Sequence, residues 1–134
     1  VKTVLANGCF DVLHAGHLRH LEAAKAMGDR LVVALTEDAF VNKGPGFPVN
    51  AWENRRDLLL GLRCVDEVIP SVNDWSAIMQ VRPAVFVKGA DYKDKPLAAA
   101  KIACLKVGAE IAFTETPKLS SRDIVERLRE AAAP

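Results

Sequence analysis

Residues 1–36, VKTVLANGCF DVLHAGHLRH LEAAKAMGDR LVVALT, read as strand, loop, helix and strand. Val1 to Ala6 is short and β-leaning, and Asn7-Gly8 is a turn signal that closes it. From Gly16 to Met27, Leu18, Leu21, Ala24 and Ala26 recur near helical spacing, Arg19, Glu22 and Lys25 take the outer face, and Gly28 stops the helix. Arg30 to Thr36 then carries Leu-Val-Val-Ala-Leu, a continuous apolar run of the kind found in strands covered on both faces. A strand, a helix and a buried strand in this order predict a parallel βαβ unit.

Outward from that unit the alternation continues. Helices are expected over Ala51–Leu62, Trp75–Val81, Leu97–Val107 and Ser121–Ala132, and strands over Glu67–Pro70, Ala84–Lys88 and Ala109–Thr114. With right-handed crossovers this is an α/β fold, a single Rossmann-like, doubly wound five-stranded parallel sheet with helices on both faces, forming one domain over residues 1–134. No repeat or low-complexity linker interrupts it. The long irregular stretch Asp38 to Asn50 contains Lys43-Gly44-Pro45-Gly46, and loops of this length in compact domains tend to be functional.

Composition narrows the partners. The 134 residues carry 18 Lys+Arg against 17 Asp+Glu, 50% hydrophobic residues and 6% aromatics. That is ordinary globular composition, without the basic excess or stacking residues of a nucleic-acid binder, so the expected partner is a small molecule. No apolar stretch approaches the roughly 18 residues of a membrane span and no signal-peptide pattern opens the chain, so no membrane partner and a cytoplasmic location are expected. Cys9, Cys64 and Cys104 are odd in number and widely spaced, and read as reduced thiols without chemistry.

In open parallel sheets the ligand lies outside the carboxyl ends of the strands, which directs attention to the loop Asn7-Gly8-Cys9-Phe10-Asp11-Val12-Leu13-His14-Ala15-Gly16-His17. It lacks GxGxxG. Instead two imidazoles bracket a glycine at a helix start, where backbone N–H groups and the positive end of the helix dipole favour phosphate. Gly16, without a side chain, would let a triphosphate approach the backbone. Each of these residues also has a plainer reading. His14, His17 and His20 could form a metal triad, with His20 otherwise a helix-surface residue. Lys88 could be a solvated lysine, Arg55 helix-surface charge, Ser120-Ser121 a helix N-cap, and Trp52 and Trp75 packing residues.

The His-x-Gly-His element in the run Asn-Gly-Cys-Phe-Asp resembles the cytidylyltransferase-like nucleotidyltransferases, and the resemblance covers nearly the whole chain. Glu53-Asn54-Arg55 resembles the Glu-x-Arg that opens the family's second helix, Phe86 to Tyr92 the end of its fourth strand, and Leu119-Ser120-Ser121 its last helix start. Lys43 to Asn50 and Lys88-Gly-x-Asp-Tyr are most similar to the adenylyltransferase domain of bacterial ADP-heptose synthases, and Val65 to Pro70 is equally similar to glycerol-3-phosphate cytidylyltransferase. One position departs from the cytidylyltransferase pattern: Glu115 stands where an arginine is expected, and Lys118 or Arg122 would have to supply that charge.

The resemblance implies attack of a substrate phosphate on the α-phosphorus of ATP or CTP, with release of pyrophosphate. It assigns His14, His17 and Lys43 to catalysis, and Gly8, Cys9, Phe10, Asp11, Gly16, Arg55, Lys88, Gly89, Asp91, Leu119, Ser120 and Ser121 to nucleotide binding. Magnesium (Mg2+) would come with the triphosphate, held by phosphate oxygens and water rather than a protein cage, with Asp11 near the reacting phosphates or the metal. The implied partners are the nucleoside triphosphate and a phosphorylated sugar or polyol, and the implied assembly is a homodimer. Two other classes fit less of the sequence. A non-catalytic nucleotide-binding module would not need both histidines and the lysine-bearing loop, and a zinc hydrolase would need a carboxylate or cysteine at ligand spacing.

Overall fold

In the computed structural model, which describes residues 1–116 and 120–133, the chain alternates strand and helix throughout. The elements are β1 (Thr3–Gly8), α1 (Ala15–Lys25), β2 (Arg30–Thr36), α2 (Trp52–Leu60), β3 (Glu67–Ser71), α3 (Asp74–Val81), β4 (Val85–Gly89), α4 (Ala98–Val107), β5 (Glu110–Thr114) and α5 (Ser121–Ala132). Short 3-10 turns at Asp38–Phe40 and Ala90–Tyr92 lie in the loops after β2 and β4. The strands pair in parallel in the order β3-β2-β1-β4-β5. The order reverses between β1 and β4, and this is where such sheets bind ligands.

β1 extends two residues past its expected end. Asn7 and Gly8 pair with Ala34 and Leu35 of β2 and continue the strand, so the Asn-Gly turn signal is overridden by the sheet. The strands divide their side chains between two cores, as a period of two requires. Val4, Ala6, Leu31, Val33, Leu35, Val85 and Val87 pack with Leu21 and Ala24 of α1 and Leu59 of α2. Leu5, Val32, Ala34 and Phe86 face the other way, onto Ala77 and Ile78 of α3 and Ala100, Ala103 and Cys104 of α4. Trp52 and Trp75 pack against the first and second core respectively, and the Trp52 indole N–H donates to the Leu35 carbonyl at 2.9 Å.

α5 is attached differently. Within it only Ser121 is buried, and Ile124 and Val125 are half-buried. Its first turn reaches the loops at the carboxyl edge of the sheet: the Ser121 hydroxyl donates to the Val12 carbonyl at 3.0 Å, and Arg122 Nη2 donates to the Lys43 carbonyl at 2.6 Å. Ser120 occupies the N-cap position without a side-chain cap bond, so the expected serine cap is replaced by this link between loops. No helix among the described residues is long and apolar enough to cross a membrane.

Candidate active site

A cleft of about 450 Å³ opens at the reversal point. The ends of four strands supply its floor: Asn7 and Gly8 from β1, Thr36 from β2, Lys88 and Gly89 from β4, and Thr114 from β5. Its walls come from Cys9, Phe10, His14, Gly16, His17 and His20 on one side, Ala90, Asp91 and Tyr92 on the other, with Lys43 reaching in from the long loop.

The head of α1 is built around two imidazoles. His14 is the N-cap, and its Nδ1 accepts from the backbone N–H of Gly16 at 3.0 Å and of His17 at 3.4 Å. His17 Nδ1 accepts in turn from the His14 backbone N–H at 3.3 Å, completing a capping box made of two histidines. The rings stack at 3.8 Å with 15° between their planes. This geometry fixes the tautomers. A ring nitrogen that accepts carries no proton, so each neutral imidazole holds its proton on Nε2. His14 Nε2 is buried without a hydrogen-bond partner, a donor awaiting an acceptor. The first-turn N–H groups of Gly16 and His17 are themselves used by the cap. What the helix start offers an anion is therefore imidazole N–H rather than those backbone groups.

Both rings are held neutral. Burial lowers the His14 pKa, with Lys43 adding to the effect, and burial, then His14, Lys43 and His20, depress His17 to about 3. Phe10 packs against His17. It is buried in the left-handed region at φ 48°, and its ring meets His17 edge-on at 5.4 Å. Gly8 leaves room for the same ring, since a Cβ there would stand 3.1 Å from it and the ring would have to give way.

The loop from β2 to α2 is anchored at its ends and free at its tip. Asp11 is completely buried, and its carboxylate accepts from the backbone N–H groups of Val49 at 2.5 Å and Asn50 at 3.1 Å. Its side chain organises the loop, each oxygen accepting one backbone N–H. Arg55 is equally hidden. Its guanidinium donates to the carbonyls of Asn50 at 2.9 Å and Cys9 at 2.8 Å and to Asp38 Oδ1 at 2.6 Å. It is neither surface charge nor part of the cleft lining, but the brace that joins the first loop to the second. Between these anchors Lys43 Nζ donates to the Asp11 carbonyl at 3.3 Å, and Gly44 and Gly46 take φ of 97° and 86°.

The far wall holds Lys88, whose ammonium lies 4.5 Å from the centre of the Tyr92 ring. Gly89 makes room for Asp91, since a Cβ on it would stand 2.7 Å from Asp91 Oδ1. Glu115, in the place of the expected arginine, pairs with Lys93. Arg122 is committed to the loop backbone, and Leu119 and Lys118 lie outside the described residues. Cys9 is half-buried in the cleft wall; Cys64 and Cys104 are buried away from it, with burial raising the pKa of both thiols.

Sequence reasoning missed several lining residues. His20 is not a surface residue: a ring nitrogen lies 2.7 Å from Thr114 Oγ1, and burial lowers its pKa, with Lys88 adding to that and Asp91 opposing it. Its signal was present, because His14, His17 and His20 are spaced by three and share a helix face. No group of three potential metal ligands is found among the described residues, and the caps that place protons on Nε2 of His14 and His17 suit those rings to donating rather than ligating. Asn7, Thr36 and Thr114 could have been found by taking the last residues of every parallel strand, not those of the first loop alone.

Comparison with known proteins agrees with this architecture. Residues 5–127 match the model of the cytidylyltransferase-like family. The chain is 47% identical over 114 residues to the bifunctional protein HldE of Chromohalobacter salexigens, and 44% identical over 132 residues to that of Pseudomonas fluorescens. These matches cover 82% and 96% of this chain but only 24% and 28% of the relatives, so the chain spans about a quarter of their length. Among solved structures, a lipopolysaccharide core biosynthesis protein from Thermoplasma volcanium superposes with a TM-score of 0.75 at 28% identity, covering 87% of this chain and 98% of that one. Pantothenate synthetase from Thermus thermophilus shares the fold at a TM-score of 0.64 and 18% identity, over 98% of this chain and 65% of that one. Sheet order, paired histidines and sequence match together make this chain a nucleotidyltransferase domain of the cytidylyltransferase-like family.

Proposed function

We propose that residues 1–134 form one domain that transfers AMP from ATP to a phosphorylated sugar and releases pyrophosphate, in the manner of an ADP-heptose synthase. The observation that carries this reading is the histidine pair, with two neutral imidazoles fixed by their own helix cap and a buried Nε2 donor that lacks an acceptor. The similarity to the HldE proteins supports ATP and a sugar phosphate over CTP and glycerol 3-phosphate.

In the reaction an oxygen of the acceptor phosphate bonds to the α-phosphorus, and the bond from that phosphorus to the bridging oxygen of pyrophosphate breaks. The attacking phosphate is already an anion, so no general base is needed. What the chain contributes is alignment and donors aimed at charge that grows in the transition state. His14 and His17 supply neutral N–H donors, and Lys43 and Lys88 supply charge from opposite sides of the cleft. Magnesium belongs to this scheme as part of the Mg–ATP substrate. No group of three potential metal ligands is found among the described residues, so the ion's ligands are assigned mainly to phosphate and water.

The test is pyrophosphate release with ATP or CTP against a heptose 1-phosphate, glycerol 3-phosphate and an unphosphorylated heptose. ATP with the sugar phosphate should be fastest. Faster turnover with CTP and glycerol 3-phosphate would reverse the substrate assignment, and turnover only with the unphosphorylated sugar would defeat the mechanism.

A further inference from the structure

Asn7 and Lys88 stand one residue beyond the Ala6–Val87 pair, at the carboxyl ends of the two strands between which the sheet order reverses. Both line the cleft. Asp74, at the head of α3, is not among the lining residues, yet its carboxylate joins the two. Asn7 Nδ2 donates to Asp74 Oδ1 at 2.5 Å, and Lys88 Nζ lies 3.0 Å from Oδ2 and 3.2 Å from Oδ1.

This arrangement constrains Asn7. An ionised carboxylate can only accept, so the amide must turn its NH2 group to Asp74, and its oxygen is left for another partner. That oxygen, Oδ1, is buried and has none. A buried polar atom without a partner is rare enough to need a reason. Phosphate is not that reason, because an ionised phosphoryl group offers mainly acceptor oxygens. His14, His17, Lys43 and Lys88 suit phosphate; Asn7 Oδ1 suits a donor, and on a phosphorylated sugar or a nucleotide the abundant donors are hydroxyls.

We infer that Asn7, held in one orientation by Asp74, accepts a hydrogen bond from a substrate hydroxyl and is a specificity-determining residue, with Asp74 the positioning residue that acts through it. The inference rests on the nucleotidyl-transfer reading and deepens it: the site takes a polyhydroxylated substrate and reads one of its hydroxyls. That hydroxyl belongs either to the acceptor sugar or to the ribose of the nucleotide.

The experiment compares wild type, Asn7→Ala and Asp74→Asn, each checked for folding by circular dichroism. The acceptor arm uses a heptose 1-phosphate and its monodeoxy analogues, and the nucleotide arm uses ATP and its 2′-deoxy and 3′-deoxy forms. Each is read as kcat/KM and as a calorimetric Kd. Wild type should lose about 10- to 100-fold on one analogue, in line with a lost hydrogen bond to a buried group. Asn7→Ala should treat that analogue and its parent alike within about threefold, and Asp74→Asn should fall between, with the other analogues unchanged in rank. The arm in which discrimination collapses identifies the source of the hydroxyl. If both variants keep the full wild-type discrimination, or wild type binds every deoxy analogue as it binds the parent, the inference is overturned. Should Asn7→Ala not fold, Asp74→Asn alone decides. Failure of the reaction itself would appear separately, as wild type that binds the ligands but releases no pyrophosphate.

Discussion

Replacing His14 by asparagine should separate two functions that alanine would remove together. The His14 ring caps α1 through Nδ1, which accepts from Gly16 and His17, and offers Nε2–H to the cleft. Asparagine is among the best N-cap residues because its carbonyl accepts the same first-turn N–H groups, but it cannot place a second donor where Nε2 stands. Loss of the cap in His14→Ala should cost about 1 kcal/mol, whereas His14→Asn should stay within a few tenths of wild type. Loss of a donor to developing transition-state charge is worth about 3–4 kcal/mol, so both variants should fall about 10²- to 10³-fold in kcat. Urea unfolding gives the first quantity, and single-turnover pyrophosphate release gives the second. Retention of kcat within about fivefold in His14→Asn would refute the donor assignment. Equal destabilisation of the two variants would refute the cap.

Two further outcomes follow from the same geometry. His17 has a native pKa of about 3 against 6.5 when unfolded, so below pH 6.5 the unfolded chain takes up a proton that the folded one refuses. Stability tied to this group is complete above pH 6.5 and is lost as pH falls towards 3; between pH 7 and 5 the loss is about 2 kcal/mol, and the fall in urea-derived stability over that range should be smaller by about that amount in His17→Gln than in wild type. Arg55→Ala should cost about 3–5 kcal/mol, because the carbonyls of Cys9 and Asn50 lose a buried partner, and a native-state stability near wild type would contradict its role as a brace.

The sequence makes the sheet legible because hydrophobic runs and helical spacing are local patterns. The spans Arg30–Thr36 and Ser121–Ala132 are found as expected, and the other elements differ at their ends by one to two residues, as at Gly8. The histidine pair was legible for the same reason, since its geometry is set within one helical turn. Arg55 was not. Its three acceptors lie at positions 9, 38 and 50, and only the folded chain brings them together. Asp11 is similar: its bonds to backbone N–H groups about forty positions later belong to the folded chain and leave no local trace. His20 could have been read from its spacing, but its reason for being there, Thr114, is 94 residues away.

The loop that carries Lys43 has a consequence for how this scaffold can diversify. Its distal end is clamped by Asp11 on Val49 and Asn50 and by Arg55 on Asn50, and its proximal end by Arg55 on Asp38. The glycine-rich tip, by contrast, meets little: a Cβ on Gly44 would touch nothing within 4 Å, and one on Gly46 would meet only the end of Arg129. Residues inserted or deleted between Lys43 and Phe47 therefore alter the reach of the lysine, and its charge on the paired imidazoles, without touching the helix cap that holds the two rings. Length changes at such a tip would act on the transfer through the lysine alone, while the clamps at Asp38, Val49 and Asn50 keep both ends of the loop in register.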